Sequence, residues 1–332
     1  MRDFDFLEPA TVHEASHMLA DLGDDCRVIA GGTALMLGMR QGMLTPTHLV
    51  SLARVQPLRG IELDATGGLR IGALARHADV ANSPLVRQHC PVLASMASRV
   101  ANPQVRNQGT IGGNLCYADP STDPPGCLMA LDAKVVLGSS RGERVLSIEE
   151  FLVDYYVTAL EPDEIVVEIR VPPLAAGTSG VYPPFPRTGA GPRPPGSVGL
   201  VGREPDEIVA ETRVPPLAAG TSGVYSRFLR TAAEHRPLAS VALVARHEGL
   251  LCREARIAVG ASTPIPVRLR RAEAFLEGRT IDEKTVHEVA DIVAADIEPV
   301  SDAPGDADFR REMVRVVARR TVGGLFGLAH IQ

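Results

Sequence analysis

The stretch GTIGGNLCYADPSTDPPG, residues 109–126, decides how this chain is organised. It combines paired glycines, an amide and two carboxylates without apolar periodicity, and it ends in Asp123-Pro124, which is typical of a helix start. Because Gly112 and Gly113 carry no Cβ, their N–H groups can turn together towards one anion, and the helix that follows favours negative charge. We therefore predict a loop that holds a phosphate group.

A second glycine pair lies about eighty residues earlier in the chain. The strand-like run 27–30 leads into Gly31-Gly32-Thr33 and then into the helical pattern ALMLGMRQG, residues 34–42. The spacing matches neither the G-x-G-x-x-G nor the Walker pattern, which disfavours the nucleotide-binding folds that those motifs imply. Two such loops suit a diphosphate that is held from two sides.

The charged residues near these loops indicate what else the ligand carries. Neither loop contains a lysine, so we expect backbone N–H groups and helix starts to hold the anion, with Arg27, Arg40 or Arg106 as outer charges. Asp119 and Asp123 would repel phosphate, and they suit the hydroxyl groups of a sugar or polyol. The combination predicts a dinucleotide.

The composition excludes several classes of protein. The 332 residues suffice for about two domains. A net charge of −6, no tryptophan and 4% aromatic residues disfavour a nucleic-acid partner. The N-terminus lacks a signal-peptide core and no apolar run reaches the length of a membrane span, so we expect a cytoplasmic protein. The five cysteines form no C-x-x-C pair, so an iron–sulfur cluster or zinc would belong to another chain, and no metal site is predicted here.

Apolar periodicity predicts a mixture of helices and strands, with a separate unit in the last third of the chain. The predicted helices are 12–22, 34–42, 76–83, 85–101, 123–133, 147–151, 266–279, 282–297 and 308–326. The predicted strands are 27–30, 47–53, 69–75, 133–139, 143–148, 163–172, 240–246 and 253–261.

One segment occurs twice in nearly identical form. Residues 161–182 recur as 204–225 with two differences, and the Pro/Gly-rich run 183–203 separates the copies. A repeat architecture normally needs about three units, so a single pair indicates a local duplication, with a sequence-assembly error or a cloning scar as the alternative. We hypothesise that one copy fills the core strand and that the other copy, with the linker, forms an exposed excursion.

Several motifs together resemble the FAD-binding (medium) subunit of the molybdenum hydroxylases, the group of carbon monoxide dehydrogenase and the bacterial xanthine dehydrogenases. They are AGGTAL (30–35), TIGGNLCYADPSTD (110–123), VTALEPDEIVVEIRVP (157–172) and YSRFLRTAAEHRPLASVA (225–242). The resemblance implies a two-subdomain FAD-binding domain of the vanillyl-alcohol-oxidase-like type over 1–175, divided at about residue 56. A duplicated insertion over 176–224 and a smaller α+β C-terminal domain over 225–332 follow.

The resemblance also implies which residues bind FAD. Loops 30–35 and 110–114 would wrap the diphosphate, Asp123 with Thr122 and Asp119 would bind hydroxyl groups, and Tyr225, rather than Tyr182, would flank the flavin ring. The full predicted set is Val28, Ile29, Ala30, Gly31, Gly32, Thr33, Ala34, Leu35, Thr110, Ile111, Gly112, Gly113, Asn114, Cys116, Tyr117, Asp119, Thr122, Asp123, Ile165, Val166 and Tyr225. We expect Gly32→Val or Gly112→Val to abolish FAD binding and to leave the fold largely intact.

The implied role is electron relay, without a catalytic residue in this chain. A [2Fe–2S] cluster in a small partner subunit would deliver electrons to FAD, and a large partner subunit would hold the molybdopterin cofactor. The terminal acceptor could be NAD, quinone, oxygen or a carrier protein, and the family assembly is a dimer of heterotrimers. Two alternatives are a self-sufficient FAD-dependent oxidoreductase and a non-catalytic nucleotide-binding module.

Overall fold

The structure is a computed structural model, which describes residues 3–174, 179–181, 220–231 and 234–328. Its first unit is a small parallel sheet in the order β1-β3-β2. The elements are β1 (Asp5–Leu7), α1 (Val12–Leu22), β2 (Cys26–Ile29), α2 (Leu35–Arg40) and β3 (His48–Ser51). Helix α1 has the predicted bounds, and Thr11 caps its start because the Thr11 hydroxyl accepts the N–H of Glu14. Short 3₁₀ turns follow at Gly23–Asp25, Leu52–Arg54 and Gln56–Leu58.

The second unit is built on an antiparallel sheet in the order β4-β5-β10-β6-β7. Its strands are β4 (Ile61–Leu63), β5 (Leu69–Gly72), β6 (Lys134–Ser139), β7 (Gly142–Ser147) and β10 (Ile165–Val171), and a separate hairpin comprises β8 (Leu152–Asp154) and β9 (Val157–Thr158). Its helices are α3 (His77–Asn82), α4 (Pro84–His89), α5 (Pro91–Ala97), α6 (Pro103–Gln108), α7 (Ile111–Tyr117), α8 (Pro124–Ala130) and α9 (Ile148–Phe151).

Two predictions in this unit are wrong. The single helix expected over 85–101 is divided into α4 and α5, since Pro91 has no N–H to donate within a continuing helix. The stretch 109–126 is not one loop, because Thr110 caps α7 and that helix contains both glycines of the second pair. The helix predicted from Asp123 is present as α8.

The third unit is a five-stranded sheet in the order β11-β12-β13-β14-β15 with helices on one side. Its elements are β11 (Ser179–Val181), β12 (Gly220–Phe228), β13 (Ala239–Glu248), β14 (Leu251–Gly260), β15 (Val267–Arg268), α10 (Arg270–Leu276), α11 (Glu283–Ala295) and α12 (Ala307–Leu325). Helix α12 packs against β12, β13 and α11. The mixture of elements confirms the α+β class.

The duplicated segment contributes strands from both of its copies. The start of the first copy forms β10, whereas the end of the second copy forms most of β12. Residues 179–181 of the first copy pair in parallel with residues 222–224, their equivalents in the second copy. Among the described residues, the core strand β10 comes from the first copy alone. The expectation that the whole of the other copy is exposed is wrong, because residues 221–225 of the second copy are buried in β12. Tyr182, the linker 183–203 and residues 204–219 lie outside the described residues.

The second and third units share one buried core. Ala242, Val244 and Ala258 of the C-terminal sheet belong to the same cluster of buried side chains as Leu93 and Leu128. Helix α8 packs directly against β13 and β14. The start of α8, which carries Asp123, is therefore held against the C-terminal sheet.

Candidate functional site

A cavity of about 870 Å³ opens beside the first glycine pair. Its lining includes residues 29–33 from the first loop, together with residues of α6, its flanks and Thr110. Of the predicted site residues, the cavity is lined by Ile29, Ala30, Gly31, Gly32, Thr33 and Thr110. The first loop is thus at the cavity wall, and the second loop contributes its first residue.

The first loop presents free backbone donors. The first N–H group bonded at the start of α2 is that of Met36, which donates to the carbonyl of Gly32 at 2.9 Å. Within the described residues, the N–H groups of residues 32–35 donate to no protein acceptor. Consecutive unbonded N–H groups at a glycine turn form a concave site for an anion. These donors are available to a ligand, and their binding of an anion stays a prediction.

The two loops meet through their backbones. A Cβ on Gly31 would lie 2.9 Å from the Cα of Gly109 and would collide with the carbonyl of Gln108. Gly32 has a φ of +72°, which L-residues rarely adopt. The glycine pair is therefore required both by the close approach of the chain and by the turn itself.

The glycines of the second pair have a different role from the one predicted. The N–H of Gly112 donates to the carbonyl of Ala73 at 3.0 Å, and the N–H of Gly113 donates to Oγ1 of Thr110 at 3.1 Å. The N–H of Ile111 donates to the carbonyl of Ala75. The expectation that these groups turn towards an anion is wrong, because the sheet and the helix cap already accept their hydrogen bonds.

The expectation that the two valine substitutions leave the fold largely intact is also wrong. A Cβ on Gly112 would lie 2.6 Å from the Cβ of Ala73 and 2.9 Å from its backbone, so a larger side chain displaces α7 from the sheet. At Gly32 the positive φ opposes any side chain before ligand contact is considered. Both substitutions would perturb the fold.

Asp119 is buried beside an aromatic cluster at the end of α7. Its Oδ1 accepts the N–H of Ser121 at 3.0 Å, and its Oδ2 lies 2.7 Å from Nη2 of Arg236 without hydrogen-bond geometry. The rings of Tyr117 and Tyr156 pack edge to face with centroids 5.3 Å apart. The buried Oδ2 therefore keeps capacity to accept a hydrogen bond from a hydroxyl group.

Asp123 is held by the C-terminal sheet. Its Oδ1 accepts from the hydroxyl of Tyr225 at 2.6 Å, and its Oδ2 accepts from Nη1 of Arg227 at 2.6 Å. Burial raises the pKa of Asp123, while Arg227 and Tyr225 act in the opposite direction. Burial, followed by the charge of Asp123, raises the pKa of the Tyr225 hydroxyl well above its usual range. Tyr225 is itself buried within β12 and does not line the cavity.

The other predicted residues lie outside the cavity lining. Val28 is on the exposed side of β2, and Ile165 and Val166 are core residues of β10. Asn114 accepts from the Thr122 hydroxyl at 3.3 Å. The remaining residues lie at the start of α2 or on α7: Ala34, Leu35, Ile111, Cys116 and Tyr117.

Arginine and amide side chains at the cavity include some that the motifs did not indicate. Arg59, Arg76, Asn102, Gln104, Asn107 and Gln108 line it, and so does Arg40, one of the three predicted outer charges. The polar run 102–108 directly before Thr110 was a signal for the amides. Arg27 and Arg106 are not at the cavity, because their guanidinium groups donate to backbone carbonyls of residues 24 and 26 and of residues 100 and 101.

Comparisons with known proteins agree with this architecture. Residues 2–174 match the FAD binding domain in molybdopterin dehydrogenase, and residues 224–325 match the CO dehydrogenase flavoprotein C-terminal domain. The chain is 31% identical to 6-hydroxypseudooxynicotine dehydrogenase complex subunit alpha of Paenarthrobacter nicotinovorans over 320 residues, which is 96% of this chain and 93% of that protein. It is 30% identical to the carbon monoxide dehydrogenase medium chain of Hydrogenophaga pseudoflava, with 96% of each chain covered.

Solved structures show the same fold along the chain. Carbon monoxide dehydrogenase from Hydrogenophaga pseudoflava, in a form that lacks the Mo-pyranopterin moiety of the molybdenum cofactor, superposes with a TM-score of 0.82 at 31% identity and 98% coverage of both chains. Quinoline 2-oxidoreductase from Pseudomonas putida 86 gives a TM-score of 0.80 at 27% identity, with 100% of this chain and 99% of that chain covered.

The fold, the glycine loop and these matches define a flavoprotein component of an oxidoreductase, with FAD as its cofactor. The chain belongs to the family of FAD-binding (medium) subunits of the molybdenum hydroxylases. Among the helices of residues 3–328 that the structure describes, none is long and apolar enough to cross a membrane.

Proposed function

We propose that this chain binds FAD at the cavity beside Gly31 and Gly32 and relays electrons from a [2Fe–2S] partner subunit to a terminal acceptor. The observation that supports it most directly is the row of unbonded N–H groups of residues 32–35 at a cavity, in a chain of this family. The names of the relatives, a dehydrogenase complex subunit and a medium chain, support a multi-subunit assembly.

The residues present fit the diphosphate and the hydroxyl groups of a dinucleotide such as FAD. The N–H groups of residues 32–35 and the hydroxyl of Thr33 would hold the diphosphate, with Thr110 opposite. Helix α7 connects Thr110 to Tyr117, and its seven residues span about 10 Å. Asp119, just beyond that helix, has a buried oxygen suited to a hydroxyl group. These groups bind and orient a ligand at fixed positions.

The protein supplies binding and orientation, and the chemistry is that of the cofactor. Bound FAD exchanges electrons between one-electron and two-electron carriers. We assign no general acid or base to this chain. The buried His77, whose backbone N–H donates to the carbonyl of Gly109, supports the loop between α6 and Thr110. We propose partner subunits that carry the iron–sulfur clusters and the molybdopterin cofactor, with NAD or quinone as candidate acceptors.

The first experiment is the visible absorption spectrum of the purified full-length chain, with the acid-released cofactor identified by chromatography. Stoichiometric, non-covalent FAD is expected. A chain that stays colourless after incubation with excess FAD would overturn the proposal. Turnover by the isolated chain with NADH or small alcohols would instead support a self-sufficient enzyme, and slow or absent turnover is expected without the iron–sulfur partner.

A further inference from the structure

Three arginines from three separate elements surround the cavity. Arg40 is the last residue of α2, Arg59 follows the 3₁₀ turn Gln56–Leu58, and Arg76 directly precedes α3. All three line the same cavity as Gly31 and Gly32. We propose that Arg40, Arg59 and Arg76 supply the positive charge that binds the diphosphate of the nucleotide, an inference that rests on the proposed FAD function.

These arginines have no carboxylate partner in the part of the chain that the structure describes. Arg59 donates to the carbonyl of Ala53 at 2.9 Å, which leaves its other donors available. The carboxylate of Asp79 accepts the backbone N–H of Arg76, and no ion pair with that guanidinium is present in residues 3–174. Other arginines of the same unit are paired: Arg144 contacts Glu164 at 2.6 Å, and Arg141 contacts Glu161 and Asp163.

The cavity lining as a whole has one sign of charge. Its charged side chains are the three arginines, and none of its lining residues is Asp or Glu. The remaining polar side chains are uncharged: Thr33, Asn102, Gln104, Asn107, Gln108 and Thr110. A cavity lined by positive charge alone attracts anions, and three cations in one cavity suit a ligand with more than one negative charge.

Backbone donors alone leave the charge of a diphosphate uncompensated. The N–H groups of residues 32–35 provide direction and only partial positive charge. A guanidinium group carries a full charge and forms paired hydrogen bonds with phosphate oxygens. The loop therefore orients the diphosphate, and the arginines neutralise its negative charge. This predicts that nucleotide affinity depends strongly on ionic strength.

The test compares the full-length wild-type chain, depleted of flavin, with the single variants Arg40→Gln, Arg59→Gln and Arg76→Gln and with the triple variant that combines them. Affinities for FAD and for ADP are measured by calorimetry at low and high salt. We expect each substitution to weaken binding of both ligands about three- to tenfold at low salt, and the triple variant to lose most of the salt dependence. The loss of salt dependence is a signature that a general loss of folding would not produce.

Arg54→Gln is the matched control, because Arg54 is exposed on the neighbouring 3₁₀ turn and does not line the cavity. It should bind FAD and ADP as the wild type does. A triple variant with unchanged affinities and unchanged salt dependence would overturn the inference while leaving the FAD function intact. Wild-type binding of ADP without FAD would overturn the FAD function, and the inference would then be overturned as well if the triple variant bound ADP as the wild type does. Binding of neither ligand by the wild type would contradict both.

Discussion

Gly112 and Gly126 lie in neighbouring helices and differ in what surrounds them. A Cβ at Gly112 would meet Ala73 at 2.6 Å, whereas a Cβ at Gly126 would have its nearest neighbour, Gly260, at 3.8 Å. The first glycine is required by the close packing of α7 on Ala73, which directly follows β5. The second has room for a methyl group.

We predict that Gly112→Ala lowers the free energy of unfolding by about 1–3 kcal/mol, because the added carbon overpacks the contact with Ala73. Gly126→Ala, the control, should raise it by about 0.5–1 kcal/mol, because alanine loses less conformational entropy in a helix. Urea unfolding of both variants measures the difference. Equal effects at the two positions would show that α7 does not pack as described.

His77 provides a prediction of pH dependence. Burial, with a smaller contribution from Arg106, lowers the pKa of His77 from 6.5 to about 4. Between these values the unfolded chain binds a proton that the folded chain does not. The contribution of neutral His77 to the free energy of unfolding is therefore fully present above pH 6.5. It is lost as the pH drops towards 4, by up to about 3 kcal/mol at roughly 1.4 kcal/mol per pH unit.

The measurement is the free energy of unfolding from pH 7 to pH 4 for the wild type, His77→Gln and His287→Gln. His77→Gln should make this dependence shallower, since glutamine does not titrate. His287 is exposed on α11, so its substitution should leave the slope unchanged. A wild-type slope retained in His77→Gln would contradict the assignment.

At the scale of elements, the duplicated segment is distributed between two sheets. Strand β10 comes from the first copy and β12 largely from the second, and β11 pairs with β12 through equivalent residues of the repeat. The six residues 177–182 are identical to residues 220–225. Either copy can therefore supply the sequence that precedes Ser226.

We predict that deletion of residues 183–225 gives a folded chain that retains FAD, because the junction places GTSGVY directly before Ser226. In this variant Tyr182 should take over the hydrogen bond that Tyr225 donates to Asp123. Tyr182→Phe in the deletion variant should then cost about 1 kcal/mol of stability, as Tyr225→Phe should in the full chain. Chemical unfolding and flavin content provide the readouts.

The deletion also has clear contrary outcomes. An aggregated product, or a folded product without flavin, would show that the second copy is required. A deletion variant in which Tyr182→Phe has no effect on stability would show that residues 177–182 do not occupy the position of β12.

At the scale of the whole molecule, several ion pairs join the flavin-binding region to the C-terminal unit, and the pair of Arg227 with Asp123 is a buried one. Arg227 on β12 bonds the Asp123 carboxylate and also donates to the carbonyl of Arg99 at 2.8 Å. The side chains of Arg227 and Asp123 are 11% and 3% exposed. Removing one member of a pair that is this buried leaves an uncompensated charge.

We predict that Arg227→Met lowers the free energy of unfolding by about 3 kcal/mol and that Arg227→Lys restores part of the loss. Arg246→Met is the control on the same sheet, because Arg246 and Glu254 form an exposed pair at 3.5 Å; its cost should stay below about 1 kcal/mol. Thermal unfolding should remain a single transition, since the two regions share a core. A cost at Arg227 as small as that at Arg246 would contradict the coupling.

The sequence by itself determined what depends on neighbours along the chain. The first glycine loop between β2 and α2, the caps at Thr11 and Ser147 and the C-terminal helices follow from local hydrogen bonding and apolar periodicity. The paired glycine motifs, in their order, were sufficient to identify the family. The division of the predicted helix 85–101 at Pro91 also follows from a local rule, because a proline within a helical pattern ends the helix before it.

Only the tertiary structure decided which groups face the cavity. The N–H of Gly112 is not free, because it donates to the carbonyl of Ala73. Gly31 packs against the backbone of Gln108. The carboxylate of Asp123 is oriented by its hydrogen bonds with Tyr225 and Arg227. Arg59 and Arg76 meet at one cavity because the chain brings separate elements together. These contacts join residues that are distant in sequence, so no local pattern specifies them, and packing of the shared core establishes them.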